Sequence, residues 1–179
     1  LTFVRGHEDG TNKPPKADWA ALARLDGTIV CYAGPRQVLG VVTSLIEGGR
    51  SPRESTAVIS RAAGPRQDTL TGTLAEVQAR LRDEVQKDPA VIVVGGVVGL
   101  RDHLRWFDAR PLFGKRVLVT RSREQAGELV ERLEELGAEP IEAPSVRIAP
   151  PADFGPLDQA CAQAGSYDWV VFTSPNAVE

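Results

Sequence analysis

Chemistry in this 179-residue chain would have to come from a few short stretches of small or polar residues. Two are turns of small side chains: Tyr32-Ala33-Gly34 closes one apolar run, and Ala62-Ala63-Gly64-Pro65 closes another. Small side chains let a backbone approach a ligand closely, although they also serve ordinary turn geometry. Farther on, Thr120-Arg121-Ser122 and Thr173-Ser174-Pro175-Asn176 each follow an apolar run. Ligands of open parallel sheets sit beyond the carboxyl ends of strands. Thr120, Arg121, Thr173, Ser174 and Asn176 are therefore the candidate substrate contacts. Ser174 also suits a helix N-cap with Pro175 behind it, and both roles can hold together. His7, Glu8 and Asp9 are metal-ligand types, but consecutive loop side chains rarely converge on one ion, so a polar turn is expected and no metal. The glycines of VVGGVVGL do not fit GxGxxG, and Val97, Val98, Gly99 and Leu100 start helices poorly, so no phosphate site is expected. Nothing in the chain reads as a catalytic side chain.

Composition bounds what these stretches can belong to. Hydrophobic residues make up 42% and charged residues 25%, the balance of a globular rather than a disordered chain. No apolar stretch approaches a membrane span, and the first ten residues lack the plan of a signal peptide. Residues 1–110 carry 15 basic and 13 acidic side chains, and residues 111–179 carry 6 and 11. Neither half has a dense basic stripe, so nucleic acid is not an expected partner. Cys31 and Cys161 stand alone, which fits small apolar residues in a reducing cytoplasm. With no Met in it, the chain reads as a piece of a longer polypeptide, open at both ends.

The elements that must position these stretches follow an α/β pattern. Residues 1–4 read as a strand, and Asp18 caps a short helix bearing Trp19, Leu22 and Leu25. Residues 28–32 form the next strand, and Pro35 leads a helix with Val38, Leu39, Val42, Leu45 and Ile46 on its apolar side. Residues 56–60 are a strand. Thr73 and Glu76 have capping-box spacing and open a helix with Leu74, Val77, Leu81 and Val85 on one face, which Pro89 stops. Residues 90–94 are an unbroken apolar strand, and residues 100–107 a short helix plugging the sheet edge.

Pro111 and Gly114 then break the chain before a new buried strand at residues 117–120. Ser122 and Gln125 have capping-box spacing, and Glu124 suits the positive end of a helix dipole. Ala126, Leu129, Val130, Leu133 and Leu136 make its apolar stripe, and Gly137 ends it. Residues 138–143 form a second strand, completing a right-handed βαβ unit. Another helix with Leu157, Ala160, Cys161 and Ala164 follows, then a third buried strand at residues 169–172. A receiver domain is a rival reading, but it needs acidic residues where Thr120-Arg121 stands.

The segments LTFVRGHE, GTIVCYAG, TGTLAEV, PAVIVVGGVVGLRDHLRWF and RPLFGK, in that order, resemble the C-terminal half of the tetrapyrrole methylases that C-methylate uroporphyrinogen III. The resemblance implies that residues 1–110 form the C-terminal α/β domain of such an enzyme, a mixed sheet with flanking helices. It implies S-adenosylmethionine as cofactor, contacted by Ala33, Gly34, Ala62, Ala63, Thr73 and Leu74. Ala33 stands where the family usually has Met, and Arg5 where it usually has Thr. Those departures keep a second reading open, a non-catalytic cofactor-binding or regulatory α/β module.

VLVTRSREQAGELVERLEELGAEPIEAP and YDWVVFTSPNAVE resemble the opening of uroporphyrinogen-III synthases. Here the resemblance implies a flavodoxin-like parallel-sheet lobe over residues 115–179, joined by a linker at residues 111–114. It implies no cofactor, with the linear tetrapyrrole hydroxymethylbilane held by amides and hydroxyls. Together the two resemblances imply a fusion that makes uroporphyrinogen III and methylates it to precorrin-2, toward sirohaem or cobalamin. They imply a cytoplasmic protein, a homodimer through the methylase part, and neither activity in residues 1–179 alone. The division in two requires separate sheets meeting near residue 110.

Overall fold

The computed structural model describes residues 1–6, 16–84, 86–147 and 149–173. Strands β1 (Thr2–Arg5), β2 (Ile29–Ala33), β3 (Ser55–Ser60), β4 (Asp68–Thr73) and β5 (Ala90–Val94) form one mixed sheet in the order β1-β2-β5-β3-β4. β1 and β2 are parallel, and β5 runs antiparallel to both β2 and β3. The registers define two ends. Ile29, Val94, Thr56 and Gly72 lie level at one, and Ala33, Ala90, Ser60 and Asp68 at the other.

Alternation along the strands decides which face is covered. Helices α1 (Trp19–Ala23), α2 (Val38–Glu47) and α3 (Leu74–Asp83) accompany a core of Ile29, Cys31, Val58, Ile92 and Val94 from the sheet, with Val38, Val41, Val42, Leu45, Leu74 and Val77 from α2 and α3. On the other face Phe3 stacks with Tyr32 at 6.4 Å between ring centres, and both are exposed. Asp18 caps α1 by accepting from the Ala21 amide at 2.9 Å. Beneath the α1–β2 turn the buried Arg50 side chain donates to the carbonyls of Leu25 and Gly27 and pairs with Glu54, which satisfies several peptide groups with one guanidinium. α2 begins at Val38 and not at Pro35, because residues 35–37 are spent in a turn. α3 ends at Asp83, well before Pro89. The strand β4 has no counterpart in the sequence reading: DTLTGT lacks an apolar alternation because it is an edge strand with little to bury.

After β5 comes a 3-10 turn (Gly96–Leu100) and a single helical turn, α4 (Arg101–Leu104). These residues do not plug the sheet edge as expected, since Leu104 and Trp106 remain exposed. They build a joint instead. Asp108 is paired by Arg101 and Arg105, Phe107 meets Trp106 and Phe113 edge-on, and the Arg110 guanidinium lies 4.6 Å from the Phe107 ring centre. A cation over an aromatic face is attracted to the ring's negative quadrupole.

A second sheet follows, separate from the first: β6 (Arg116–Val119) pairs in parallel with β7 (Glu139–Glu142) across helix α5 (Arg123–Glu135). Gly137, at φ +92°, ends α5 in the left-handed region. The expected capping box at its start is not formed. Ser122 makes no side-chain cap, and the Gln125 side-chain oxygen accepts from Arg121 Nε at 3.2 Å instead. The helix expected around Leu157 is present as α6 (Gly155–Ala162), but described residues from 149 onward are exposed throughout. The third strand expected at residues 169–172 is not formed, and Trp169 is 86% exposed. Strand hydrogen bonds need a partner, and β6–β7 is a two-stranded sheet that pairs with neither end of that segment. Among the described residues no helix is long and apolar enough to cross a membrane, and no group of three metal-ligand side chains gathers.

Candidate functional site

Reversal of β5 between β2 and β3 brings three chain segments to one end of the first sheet. β2 finishes there at Ala33-Gly34, β3 finishes there and turns through residues 61–67, and β5 begins there after Pro89. Ala33 and Ser60 are two strand spacings apart, about 10 Å. Small side chains line this shelf. Ala33 is buried, and Ala62 and Ala63 are exposed on the β3–β4 turn. Such a shelf offers peptide groups and shallow apolar contact to a flat ligand, with Asp68 and the Arg61–Asp88 pair at its edge.

The turn itself is unusual. Arg61 (φ +51°) and Ala63 (φ +62°) both occupy the left-handed region without being glycine. Each such residue is strained by roughly 1–3 kcal/mol, and strain of this kind gathers at ligand clamps. It is held by the Ala63 amide donating to the Gln67 side-chain oxygen at 2.9 Å, by Gly64 donating to the Arg61 carbonyl at 3.2 Å, and by Arg61 facing Asp88 at 3.6 Å. Behind the shelf, the Ser60 hydroxyl accepts from the Gln86 side-chain Nε2 at 2.5 Å, and a polar cavity of about 240 Å³ opens between β3, β4 and the end of α3. Burial pushes the Cys31 thiol up to about 12, so it stays protonated and is no nucleophile. Gly6 lies so close that a Cβ there would collide with Cys31 Sγ.

Thr73 and Leu74 do not join the shelf. The register sets them level with Ser55, at the far end of β4 from Asp68, about 17 Å along the strand. Their groups are also engaged: Thr73 Oγ1 accepts from the Glu76 amide, the Glu76 carboxylate accepts from the Thr73 amide at 2.8 Å, and Leu74 is fully buried. The backbone hydrogen bond from Thr73 lowers the Glu76 carboxyl below its ordinary range. Ala90, not among the expected contacts, lies beside Ala33 and Ser60 in the register, directly after Pro89. Only the antiparallel insertion of β5 reveals this placement, and no local signal announces it.

In the second unit Thr120 and Arg121 are exposed beyond the carboxyl end of β6. The Thr120 carbonyl accepts from both the amide (3.0 Å) and the hydroxyl (3.1 Å) of Ser145, which ties the loops after β6 and β7 together. Ser122 beside them is buried, and its hydroxyl has no hydrogen-bond partner among the described residues. Thr173 is exposed on the segment that pairs with neither strand, so the structure does not bring it to Thr120. Ser174 and Asn176 lie outside the described residues, as do His7, Glu8 and Asp9.

Between the two units lies a cleft of about 410 Å³, lined by Ala63 and Pro65 on one side and Phe107, Arg110, Gly137 and Glu139 on the other. In its joint, burial would raise the Asp108 carboxyl, but the hydrogen bond and charge of Arg101, with Arg105 behind, hold it below the ordinary range.

Comparison with known proteins finds similarity to proteins named for porphyrin biosynthesis and uroporphyrinogen-III methylation. The family described as "Uroporphyrinogen-III synthase HemD" matches residues 127–179. The "Porphyrin biosynthesis protein HemD" of Ruminiclostridium josui is 35% identical over 181 aligned residues, which covers 100% of this chain and 35% of that protein. The "Uroporphyrinogen-III C-methyltransferase" of Bacillus subtilis is 30% identical over 99% of this chain and 36% of its own length. The "S-adenosyl-L-methionine-dependent uroporphyrinogen III methyltransferase" of Methanosarcina barkeri is 38% identical over 58% of this chain and 41% of its own. The chain thus spans about a third of the length of the first two relatives.

Proposed function

We propose that this chain serves tetrapyrrole biosynthesis as parts of two enzymes in series. Residues 1–110 act as the C-terminal part of an S-adenosylmethionine-dependent uroporphyrinogen-III C-methyltransferase, and residues 115–179 as the opening of a uroporphyrinogen-III synthase. The observation that carries the proposal is that one relative matches along the whole chain, both sheets included. The names of the relatives supply uroporphyrinogen III as substrate and S-adenosylmethionine as methyl donor.

The shelf suits the adenosyl end of that donor. Ala33-Gly34, the turn carrying Ala62-Ala63, and Pro89-Ala90 all fall at this one end of the sheet, and small side chains leave room for a flat base. Thr73 and Leu74 are left out of this assignment, because their place is the opposite end of the sheet. Methyl transfer needs the sulfonium carbon held in line with a nucleophilic ring carbon, and positioning supplies much of the rate. The shelf contributes that positioning and no proton transfer. On the synthase side, Thr120 and Arg121 are the proposed contacts to the carboxylate-rich linear tetrapyrrole, with Thr173, Ser174 and Asn176 retained from the sequence pattern.

Titration of the chain with S-adenosylhomocysteine, followed by amide NMR, tests the first assignment. Shifts at Gly34, Ala62, Ala63 and Ala90, with Thr73 silent, are the expected result. Shifts centred on Thr73, or none anywhere, would overturn it.

A further inference from the structure

The strained turn at residues 61–67 is held partly from outside its own sheet. The Gly114 amide donates to the Pro65 carbonyl at 3.2 Å, and the Arg66 guanidinium faces the Glu139 carboxylate at 3.3 Å. Gly114 belongs to the joint and Glu139 opens β7 of the second sheet. Glu139 is itself fixed: its amide donates to the Lys115 carbonyl at 2.8 Å, and Arg116 stands 3.7 Å from its carboxylate. The joint is anchored to the same unit, because the Leu112 amide donates to the Leu136 carbonyl at 2.9 Å. Left-handed conformations of Arg and Ala persist only where the surroundings over-determine them. Here two of the surrounding restraints come from the second unit, and both fall on the turn that carries Ala62 and Ala63.

We propose that Glu139 and the Gly114 amide are positioning groups for the β3–β4 turn, so that the second unit sets how firmly the first unit holds the adenosyl group. The proposal rests on the cofactor assignment above. Neither group touches the shelf ligand. Both act by keeping residues 61–67 in the conformation that carries Ala62 and Ala63 at the sheet end where β2 finishes and β5 begins. Docking of the two sheets and occupancy of the shelf then favour one another, and by linkage the effect is reciprocal. The second unit would thereby raise affinity for the methyl donor without contributing an atom to its site.

A double-mutant cycle on the full 179-residue chain tests this, with Arg66→Gln, Glu139→Gln and the pair. The readout is hydrogen exchange at the Ala63, Gly64 and Gln67 amides, referenced to Val58 and Ile92 in the core. Each single substitution should speed exchange in the turn about threefold, the scale of a half-exposed ion pair, and the double should do no more than either single. The S-adenosylhomocysteine titration midpoint should weaken by the same factor. Unchanged exchange in both singles, or effects that multiply in the double, would overturn the positioning role. A general structural loss would speed the Val58 and Ile92 amides as well, and that result also counts against it. If S-adenosylhomocysteine shifts no amide of the unaltered chain, the cofactor assignment fails instead, and the exchange comparison still decides the role of Glu139.

Discussion

Helices α2 and α5 both carry an apolar stripe, α5 with far more charge around it, and meet different fates. In α2, Val38, Val41, Val42 and Leu45 are all fully buried. Among the residues of α5 whose burial is described only Ala126 is buried, and Leu129 stays 43% exposed. The difference is the sheet beneath. Five strands give α2 and its neighbours a surface wide enough to cover their apolar stripes, and two strands under α5 do not. Periodicity writes the helix, but burial is granted by the width of the layer it lies on.

The comparison can be broken by substitution. Ile92→Ala, in the centre of the wide sheet, should cost about 2–5 kcal/mol, whereas Leu118→Ala on the narrow one should stay within about 0.5 kcal/mol. Urea unfolding measures both, and equal losses would mean that the second unit has a core of its own. Next in size is Gly137→Ala. It places a side chain at φ +92° with its Cβ 2.9 Å from Arg110 Cβ. It should destabilise the second unit by about 1–3 kcal/mol. Exchange at the Leu112 and Glu139 amides should quicken while Ile92 holds, and a uniform response would sink the idea of two unequal regions.

Smaller effects sharpen the contrast. Asp108 has a lowered carboxyl in the folded chain, so its contribution is present above the ordinary carboxylate range and is lost as pH falls through the lowered value. Acid titration should therefore disturb the Trp106 indole signal before that of Trp19 in the first core, and Asp108→Asn should remove this acid step. Cys31 is the opposite case. Its raised value means that stability is complete below about pH 9 and declines above it, by about 1.4 kcal/mol per pH unit, as the unfolded thiol ionises first. At neutral pH iodoacetamide should label the exposed Cys161 and spare Cys31. Equal labelling would place Cys31 outside the core.

Much of this was legible in the sequence because the signals are local. The Asp18 cap, the Thr73–Glu76 box, the apolar run at β5 and the left-handed Gly137 each depend on a few neighbouring residues. What failed depends on partners distant in the chain. β4 is stabilised by pairing with β3 and not by its own composition, and residues 169–172 have strand composition without a strand to pair with. The shelf was half legible for the same reason. Ala33 and Ala62 announce themselves as small-residue turns, whereas Ala90 joins them only through the register of β5, and the pairing of β4 with β3 carries Thr73 to the other end.

The narrow sheet has a further consequence. Among the described residues neither β6 nor β7 has a second strand partner, Leu118 projects into water, and a few dozen residues on, Trp169, Val170, Val171 and Phe172 do the same. Unsaturated strand edges and free aromatic surface are what colloids of polypeptides grow from. Light scattering from a concentrated solution should rise well below the temperature at which the five-stranded unit melts, with first-unit amides still protected inside the particles.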